Sequence, residues 1–367
     1  MKSRYEPLGK FIRQVDERNT NLEEHNLLGV SVQKHFIPSI ANTVGTDFKK
    51  YKLVRKGQFT YIPDTSRRGD KIGIAFLDDY ENGLVSNIYT VFEICDTEKL
   101  IPEYLMLWFM RPEFDRYARY KSHGSVREIF DWEEMCNVML PVPPIERQRK
   151  IVTAYKTITD RIALKQRIND NLEAAALAIY KKIFVENISA DNLPQGWKYS
   201  LLDEIADVSA GGDRPIVCVD NPSESCNVPI FSNGTENEGL YGYTNKPKIF
   251  SESVTVSARG TIGFVCLREK PYVPIVRLIS VTPKSENVTA KYLYFVLCVS
   301  EMQSTGTSQQ QITVPDFKKK SILIPDSKAI NAFSDYIEPL FTSINHNKAE
   351  IEKLGSLSRL FLSKLSC

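Results

Sequence analysis

The chain has 367 residues, of which 42% are hydrophobic and 25% are charged, and its formal net charge at pH 7 is +2. This length exceeds what one hydrophobic core usually supports, and it suits two domains with helical connections. No apolar run approaches the roughly 18 residues that a transmembrane helix needs, and the amino terminus lacks the apolar region of a signal peptide. We therefore expect a cytoplasmic protein with no membrane segment.

The cysteines and histidines argue against a metal site. Seven cysteines are widely spaced without a C-x-x-C pair, and the four histidines are scattered as well. This pattern predicts reduced, mostly buried thiols and no structural zinc.

Residues 1–143 are predicted to form a first domain of mixed α and β structure. Strands are expected within residues 27–32, 59–62 and 72–77, and a helix over 102–120 that Pro112 interrupts. Within it, residues 49–71 carry eight lysines and arginines against two aspartates. Such a run indicates a phosphate-facing patch, although a solvated face has the same composition.

Residues 144–188 are predicted to form a long helix with an apolar stripe on one side. The apolar period is 3.5 residues, which is typical of a coiled-coil seam, and two polar residues interrupt it in the middle. The seam positions are Ile151, Tyr155, Ile158, Ile162, Lys165, Asn169, Leu172, Ala176, Ile179 and Ile183.

A second domain is predicted over residues 189–326, and it repeats features of the first. The segment Val254 to Gly263 reads as strand, glycine turn and strand, comparable with Leu53 to Gln58 and the Gly73 turn, and the helix expected from Lys291 to Val299 answers the one after Glu103. The chain therefore reads as a tandem repeat of a mixed domain followed by a long helix.

The second long helix is predicted over residues 327–367. Adding 182 to each seam number of the first helix gives its seam: Phe333, Ile337, Leu340, Ile344, Asn347, Ile351, Leu354, Ser358, Phe361 and Leu365. Two matched stripes can bury each other, which predicts an antiparallel pair within one chain; two amphipathic helices that each lie on their own domain are the alternative. Pro339 is expected to kink this helix or to start it afresh.

Catalytic signatures are absent from the sequence. It contains no phosphate-binding G-x-x-x-x-G-K-[ST], no G-x-G-x-x-G after a strand, no G-x-S-x-G and no H-E-x-x-H. We expect a binding protein and not an enzyme, with no cofactor or metal held by this chain.

Polar and basic side chains that suit base edges and phosphates gather at glycine-containing loops in matching places of the two domains. For any single one of them, a solvated loop or a local ion pair explains the residue equally well. The DNA-binding candidates are Lys56, Arg67, Arg68, Lys71, Ser125, Arg127, Arg214, Arg259, Thr307, Ser308, Gln309, Gln310 and Gln311.

Four sequence motifs, together with their order along the chain, resemble those of one known family. They are the LPxGW-type start at Leu193 to Trp197, the stretch Ala258 to Gly263, the stretch Gly306 to Ile312, and the P-P-I-E-R-Q-R-K-I lead into the first helix at Pro143 to Ile151. Together with the duplication, they are similar to the specificity subunits of type I restriction-modification systems. The first domain lacks the LPxGW start, and the second helix lacks the P-P-x-E-x-Q lead.

The resemblance implies an α+β fold of two target-recognition domains separated by an antiparallel two-helix coiled coil, with an internal pseudo-two-fold repeat. It implies a non-catalytic subunit that binds a bipartite site on double-stranded DNA, one half-site per domain, and that docks two methyltransferase subunits and restriction subunits. S-adenosylmethionine, ATP and Mg are then expected on those partners. A fused methyltransferase-nuclease and a coiled-coil scaffold without DNA readout are the competing interpretations.

The helices would have two roles under this interpretation. The 33 residues from Ile151 to Ile183 span roughly 50 Å, about one and a half turns of B-DNA, so the coil is expected to set the spacer between half-sites. The residues expected to form the coil and dock subunits are Ile151, Ile158, Ile162, Leu172, Ile179, Ile183, Phe333, Leu340, Ile344, Leu354 and Phe361.

Overall fold

The computed structural model describes residues 5–40, 43–66, 71–124, 127–186, 188–189, 191–285, 288–301 and 311–365. It consists of two compact units. Unit 1 contains Met1–Gln166 and Asn347–Cys367, and unit 2 contains Arg167–His346. Each unit therefore combines a mixed domain with one part of each long helix.

Short strands and three helices precede the first long helix in unit 1. The helices are α1 (Pro102–Phe109), α2 (Pro112–Lys121) and α3 (Trp132–Cys136). The strands are β1 (Tyr5–Pro7), β2 (Ile12–Val15), β3 (Leu28–Val30), β4 (Phe36–Pro38), β5 (Lys52–Arg55), β6 (Phe59–Tyr61), β7 (Ile74–Phe76), β8 (Asn82–Val85), β9 (Thr90–Ile94) and β10 (Met139–Pro141).

The core of unit 1 lies between an antiparallel sheet, of order β2-β9-β6-β7, and helices α1 and α2. Phe59 on β6 faces Phe92 on β9, and their rings stack with centroids 5.0 Å apart. Phe109 of α1 meets both rings edge-on. The predicted break at Pro112 is confirmed, because Pro112 starts α2 at a position whose missing N–H has no helical partner.

Unit 2 is built from a similar set of elements. Its short helices are α5 (Leu202–Ile205), α6 (Ala290–Val299) and α7 (Val314–Lys318). Its strands are β11 (Lys198–Leu201), β12 (Ala206–Ala210), β13 (Val228–Phe231), β14 (Leu240–Thr244), β15 (Ser253–Val256), β16 (Val265–Arg268), β17 (Val273–Pro274), β18 (Ile279–Pro283) and β19 (Ser321–Ile324).

The two domains share one topology, which confirms the internal repeat. The main sheet of unit 2 has the order β12-β18-β15-β16, and that of unit 1 has the order β2-β9-β6-β7. In both sheets the strand that comes first in the chain pairs with the strand that comes last. The last strand then pairs with the first strand of a hairpin. In both, the opening strand also pairs antiparallel with the strand that leads into a long helix: β1 with β10, and β11 with β19.

One detail of the predicted alignment between the repeats is wrong. The counterpart of the β15–β16 hairpin is the β6–β7 hairpin, whereas Leu53 lies on β5, which pairs with β8 in a separate two-stranded sheet. Insertions change the residue offset between the two repeats along the domain. An alignment based on similar composition therefore matched the wrong strands.

The long helices are α4 (Ile145–Phe184) and α8 (Ser327–Ser363), whose first residues lie 182 apart, as the seam offset predicts. In unit 1, Tyr155 near the start of α4 contacts Phe361 near the end of α8; in unit 2, Phe184 at the end of α4 contacts Phe333 near the start of α8. The pairing is therefore antiparallel, and all twenty seam positions are buried or half-buried.

Gln148, from the P-P-I-E-R-Q-R-K-I motif, fixes the start of α4 on the first domain. Its side chain is fully buried, with Nε2 donating to the carbonyls of Lys99 and Pro143 and Oε1 accepting from the Ile101 N–H, each at 2.8–2.9 Å. The equivalent position in α8 is Ile330, which is buried in an apolar core. In the second repeat, apolar packing of Ile330 thus takes the place of the hydrogen bonds that hold the start of the first helix.

Helix α8 is continuous through Pro339, so of the two expected outcomes it does not start afresh there; Ile337 and Phe341 on either side are buried in the core of unit 2. The expectation for the cysteines differs from the structure. Of the six cysteines that the structure describes, only Cys226 and Cys266 are buried, so the thiols are not mostly buried.

Candidate nucleic-acid interface

In unit 1, two loops meet beside the main sheet. The loop 62–73 joins β6 to β7, and the loop 122–131 joins α2 to α3. Phe130 N–H donates to the Pro63 carbonyl at 2.9 Å, and Thr65 N–H donates to the Glu128 carbonyl at 3.0 Å. Two loops that the sequence marked separately as polar and basic therefore form one surface.

Gly124 gives the second of these loops its shape. Its φ is +140°, and a Cβ placed there would lie 2.0 Å from the carbonyl oxygen of Arg127. Only glycine allows the backbone to turn this tightly. Arg127 and Lys71 are exposed on the two loops, whereas the candidates Arg67, Arg68 and Ser125 lie outside the described residues.

Folding pairs four of the eight cations in the basic run at 49–71 with acidic residues, and the phosphate-facing patch expected there stays a prediction. Lys56, one of the candidates, holds Glu81 at 2.6 Å, and this hydrogen bond raises the pKa of the Lys56 ammonium. The other ion pairs of the run are Lys50 with Asp47, Lys52 with Asp16, and Arg55 with Glu17.

The structure also shows a basic cleft, and Lys71 is the one of its lining cations that the sequence had indicated as a candidate. The cleft has a volume of about 630 Å³ and is lined by the cations Lys34, Lys71, Arg116 and Arg119, with Asp115 among them. Arg116 and Arg119 are one helical turn apart on α2, and that spacing is the sequence signal that could have revealed them.

Asp115 and Lys34 form the floor of this cleft. The buried Asp115 carboxylate holds Lys34 Nζ at 2.8 Å and accepts from the Ile72 N–H at 3.1 Å, which ties the cleft to the loop 62–73. Burial lowers the pKa of the Lys34 ammonium, and Asp115 opposes that shift. Four cations line the cleft against two carboxylates, Asp115 and the Glu113 that pairs with Arg116 at 3.3 Å, so the cleft keeps a net positive charge that suits phosphate.

In unit 2, the equivalent two loops meet in the same way. The loop 257–264 joins β15 to β16, and Ile312 N–H, just before α7, donates to the Ala258 carbonyl at 3.0 Å. Nε and Nη2 of Arg259 both donate to Oε1 of Gln311, at 3.2 and 3.0 Å. Two candidates chosen separately from sequence therefore form one half-buried pair.

The remaining candidates of unit 2 are divided between the exposed surface and the part of the chain that is not described. Arg214 is exposed on the segment between β12 and β13, where the Tyr241 hydroxyl raises the pKa of its guanidinium. Thr307, Ser308, Gln309 and Gln310 lie outside the described residues.

Asn233 is a further residue of this surface that the sequence did not mark. Its Oδ1 accepts from the Ala258 N–H at 2.8 Å, and its Nδ2 donates to the Val276 carbonyl at 2.6 Å. A lone asparagine beside glycine reads as an ordinary turn, so sequence offers no signal for this bridge.

The seam residues named for the coil and for subunit docking lie in the helical interface. Ile151, for example, packs in a cluster with Tyr155 and Leu362. The leucines that do project outward from the helices of unit 1 are Leu164, Leu357 and Leu360, which are about half exposed.

Within the described residues, no cluster of three or more His, Cys, Asp or Glu side chains has a geometry that could hold a metal ion. None of the helices there is long and apolar enough to cross a bilayer.

Comparison with known proteins gives the family. The sequence profile described as "Type I restriction modification DNA specificity domain" matches the chain twice, over residues 11–174 and 194–354. A type I specificity subunit of Mycoplasma pneumoniae is 30% identical over 264 residues, which cover 66% of this chain and 78% of that protein. The HindI specificity subunit of Haemophilus influenzae is 21% identical over 89% of both chains.

A solved structure agrees at the level of the fold. The S subunit of a type I restriction-modification system from M. genitalium superposes with a TM-score of 0.58 at 12% identity, and the match covers 100% of this chain and 96% of that one. With two matching specificity domains, a repeated topology and paired loops in both units, the chain belongs to the type I restriction-modification specificity subunits, and it is a specificity component and not a catalytic one.

Proposed function

We propose that this specificity subunit binds a bipartite site on double-stranded DNA, with one half-site read by each domain. The observation that supports this most strongly is the repeated loop pair. Phe130 bonds to Pro63 in unit 1, and Ile312 bonds to Ala258 in unit 2, at equivalent ends of equivalent sheets. The same loop architecture occurs in both domains but carries different side chains. This suits two domains that recognise different DNA half-sites.

The side chains at these surfaces divide into two chemical kinds. The cations around the cleft of unit 1 suit phosphate, which fixes the position of a protein on DNA without reading sequence. Arg127 in unit 1 and the Arg259–Gln311 pair in unit 2 suit base edges, which carry the sequence information. Each domain would combine both kinds of contact.

The paired helices would set the length of the non-specific spacer. Helix α4 has 40 residues and is therefore about 60 Å long, comparable with the distance between half-sites separated by one to two helical turns of DNA. The matched seams along both helices support this role.

Partner subunits would supply the chemistry. We propose that two methyltransferase subunits and the restriction subunits bind this chain, with S-adenosylmethionine, ATP and Mg bound by them. The outward leucines Leu164, Leu357 and Leu360 support docking on the helices. Covering exposed apolar side chains with a partner subunit removes them from water, which stabilises the complex. DNA as the target places this assembly in the cytoplasm.

Binding-site selection on the complex reconstituted with its methyltransferase subunits tests the proposal. We expect two short defined sequences separated by a fixed number of undefined base pairs, and methylation of genomic DNA at the same motif. Inserting one heptad into both helices should lengthen the spacer. A contiguous motif would contradict two readers, an unchanged spacer would contradict the role of the helices, and the absence of any motif would favour a scaffold without readout.

A further inference from the structure

Asn233 in unit 2 joins two backbone segments that each precede an arginine. Its side chain accepts from the N–H of Ala258, which precedes Arg259, and donates to the carbonyl of Val276, which precedes Arg277. Ala258 is fixed a second time through the bond from Ile312 to its carbonyl. One amide side chain therefore sets the position of both segments.

The second of these segments has an unusual backbone. Val276 and Arg277 have φ values of +51° and +61°, a conformation that β-branched residues rarely adopt and that costs free energy. Their N–H groups donate to the carbonyls of Gly212 and Gly211, both at 2.9 Å. A turn that served only to reverse the chain would take glycine or asparagine here.

Strain of this kind persists where the surroundings hold it, and it concentrates at functional sites. Val276 is 52% exposed and Arg277 is exposed as well, so the strained pair does not pack into the core. The conformation places the exposed Arg277 beside the segment of Gly211 and Gly212, which also carries Arg214.

Arg259 is held in a way that leaves one edge of its guanidinium open. Nε and Nη2 are both occupied by Gln311 Oε1. Among the described residues, the other edge of the group has no partner, and it offers two parallel N–H donors from Nη1 and Nη2. Two parallel donors match the O6 and N7 acceptors of guanine in the major groove, which is the commonest specific contact between arginine and a base.

We propose that Arg259 and Arg277 are the base-reading arginines of the second domain, that they recognise guanine, and that Asn233 is the residue that positions both. This proposal rests on the proposed function and adds the chemical identity of one half-site. It assigns no role in base reading to Arg214, which lacks the strained backbone of Arg277 and whose guanidinium lies against the Tyr241 hydroxyl.

The test uses the full chain in complex with its methyltransferase subunits, with the methylated motif read by genome sequencing. R259K and R277K keep the positive charge and remove the two parallel N–H donors of the guanidinium. Each should weaken discrimination at a single guanine of one half-site by about 5- to 150-fold, and the other half-site should stay unchanged. Arginine variants that leave the motif intact would overturn the assignment.

Two variants of Asn233 separate positioning from stability. Asn233→Asp keeps the acceptor for Ala258 and loses the donor to Val276, so only the Arg277 position should relax, while Asn233→Ala should relax both. Relaxation of both half-sites together would show a folding defect and overturn the positioning role. If the wild-type complex shows no bipartite motif, the proposed function itself fails; if it does and these variants read the same motif, only this inference fails.

Discussion

Lys165 on α4 donates a hydrogen bond to Oδ1 of Asn347 on α8 at 2.8 Å, and these two residues occupy the same position of the two repeats, 182 residues apart. In an antiparallel pair of repeated helices, a residue meets its own counterpart only at the midpoint of the seam. Lys165 also pairs with Glu350 at 3.1 Å, and Arg161 pairs with the same carboxylate. This polar cluster marks the centre of the coil.

Polar groups at the centre of an apolar seam fix its register at some cost in stability. Replacing Lys165 by Met and Asn347 by Leu together should therefore loosen the register, since apolar side chains at these positions pack equally well in neighbouring registers. Methylated sites with more than one spacer length are the expected readout. Glu146→Gln, which breaks an exposed pair with Arg149, is the control. A single sharp spacer in the double variant would contradict the role in register.

The same cluster predicts a pH dependence. Hydrogen bonds from Lys165 and Arg161 hold the pKa of the Glu350 carboxyl below its ordinary value of 4.5. Below pH 4.5 the unfolded chain takes up this proton before the folded one does, so the stabilisation from Glu350 is present above that pH and is lost as the pH falls through the folded pKa.

Comparing the urea midpoint of Glu350→Gln with that of the wild type measures this effect. The difference between them should be constant from pH 6 to about 5 and should shrink towards pH 3. A difference that stays constant down to pH 3 would show that Glu350 is not perturbed.

Gln148 provides a prediction about stability. Gln148→Ala leaves two carbonyls and one N–H without their partners at a fully buried site, and it should lower the free energy of unfolding by roughly 2–4 kcal/mol. The neighbouring exposed Arg149→Ala should change it by less than about 0.5 kcal/mol. Denaturant unfolding of both variants makes the comparison, and equal effects would mean that the buried hydrogen bonds contribute little.

Gly124 predicts an effect on one half-site. Gly124→Ala would bring a methyl group against the Arg127 carbonyl and should distort the loop, so recognition by the first domain should be lost while the second half-site is still read. Gly57→Ala is a matched control, since Gly57 also has a positive φ but has nothing within 4 Å of its added Cβ. The methylated motif reports the difference, and a motif that is unchanged in Gly124→Ala would remove this loop from the interface.

Salt dependence tests the basic cleft. Replacing Lys71 by Ala should reduce the slope of log K against log salt by about 0.9 for the phosphate contact that is lost. Arg55→Ala should leave the slope unchanged, because Arg55 is already paired with Glu17. Fluorescence anisotropy at several salt concentrations gives the slopes, and equal slopes for all variants would exclude the cleft from the DNA footprint. The same measurement on Arg67 and Arg68 tests those two candidates.

The sequence by itself determined the helices, the duplication and the family. A 3.5-residue seam is a local pattern, and its recurrence 182 residues later identified the partner helix without any knowledge of distant contacts. The loops were also predicted, because glycine and polar residues mark them directly, and both residues of the Arg259–Gln311 pair are candidates that the sequence indicates.

Only the tertiary structure decided which of the charged and polar residues are bound by other side chains or by the backbone. Lys56 is bound by Glu81 and Arg55 by Glu17, 25 and 38 residues away, while Asn233 reaches Val276 over 43 residues. Such pairs depend on how loops pack against each other, and no local period encodes that packing. The seam of α4 was therefore predicted from sequence, but the division between neutralised and available cations, and the bridge at Asn233, required the fold.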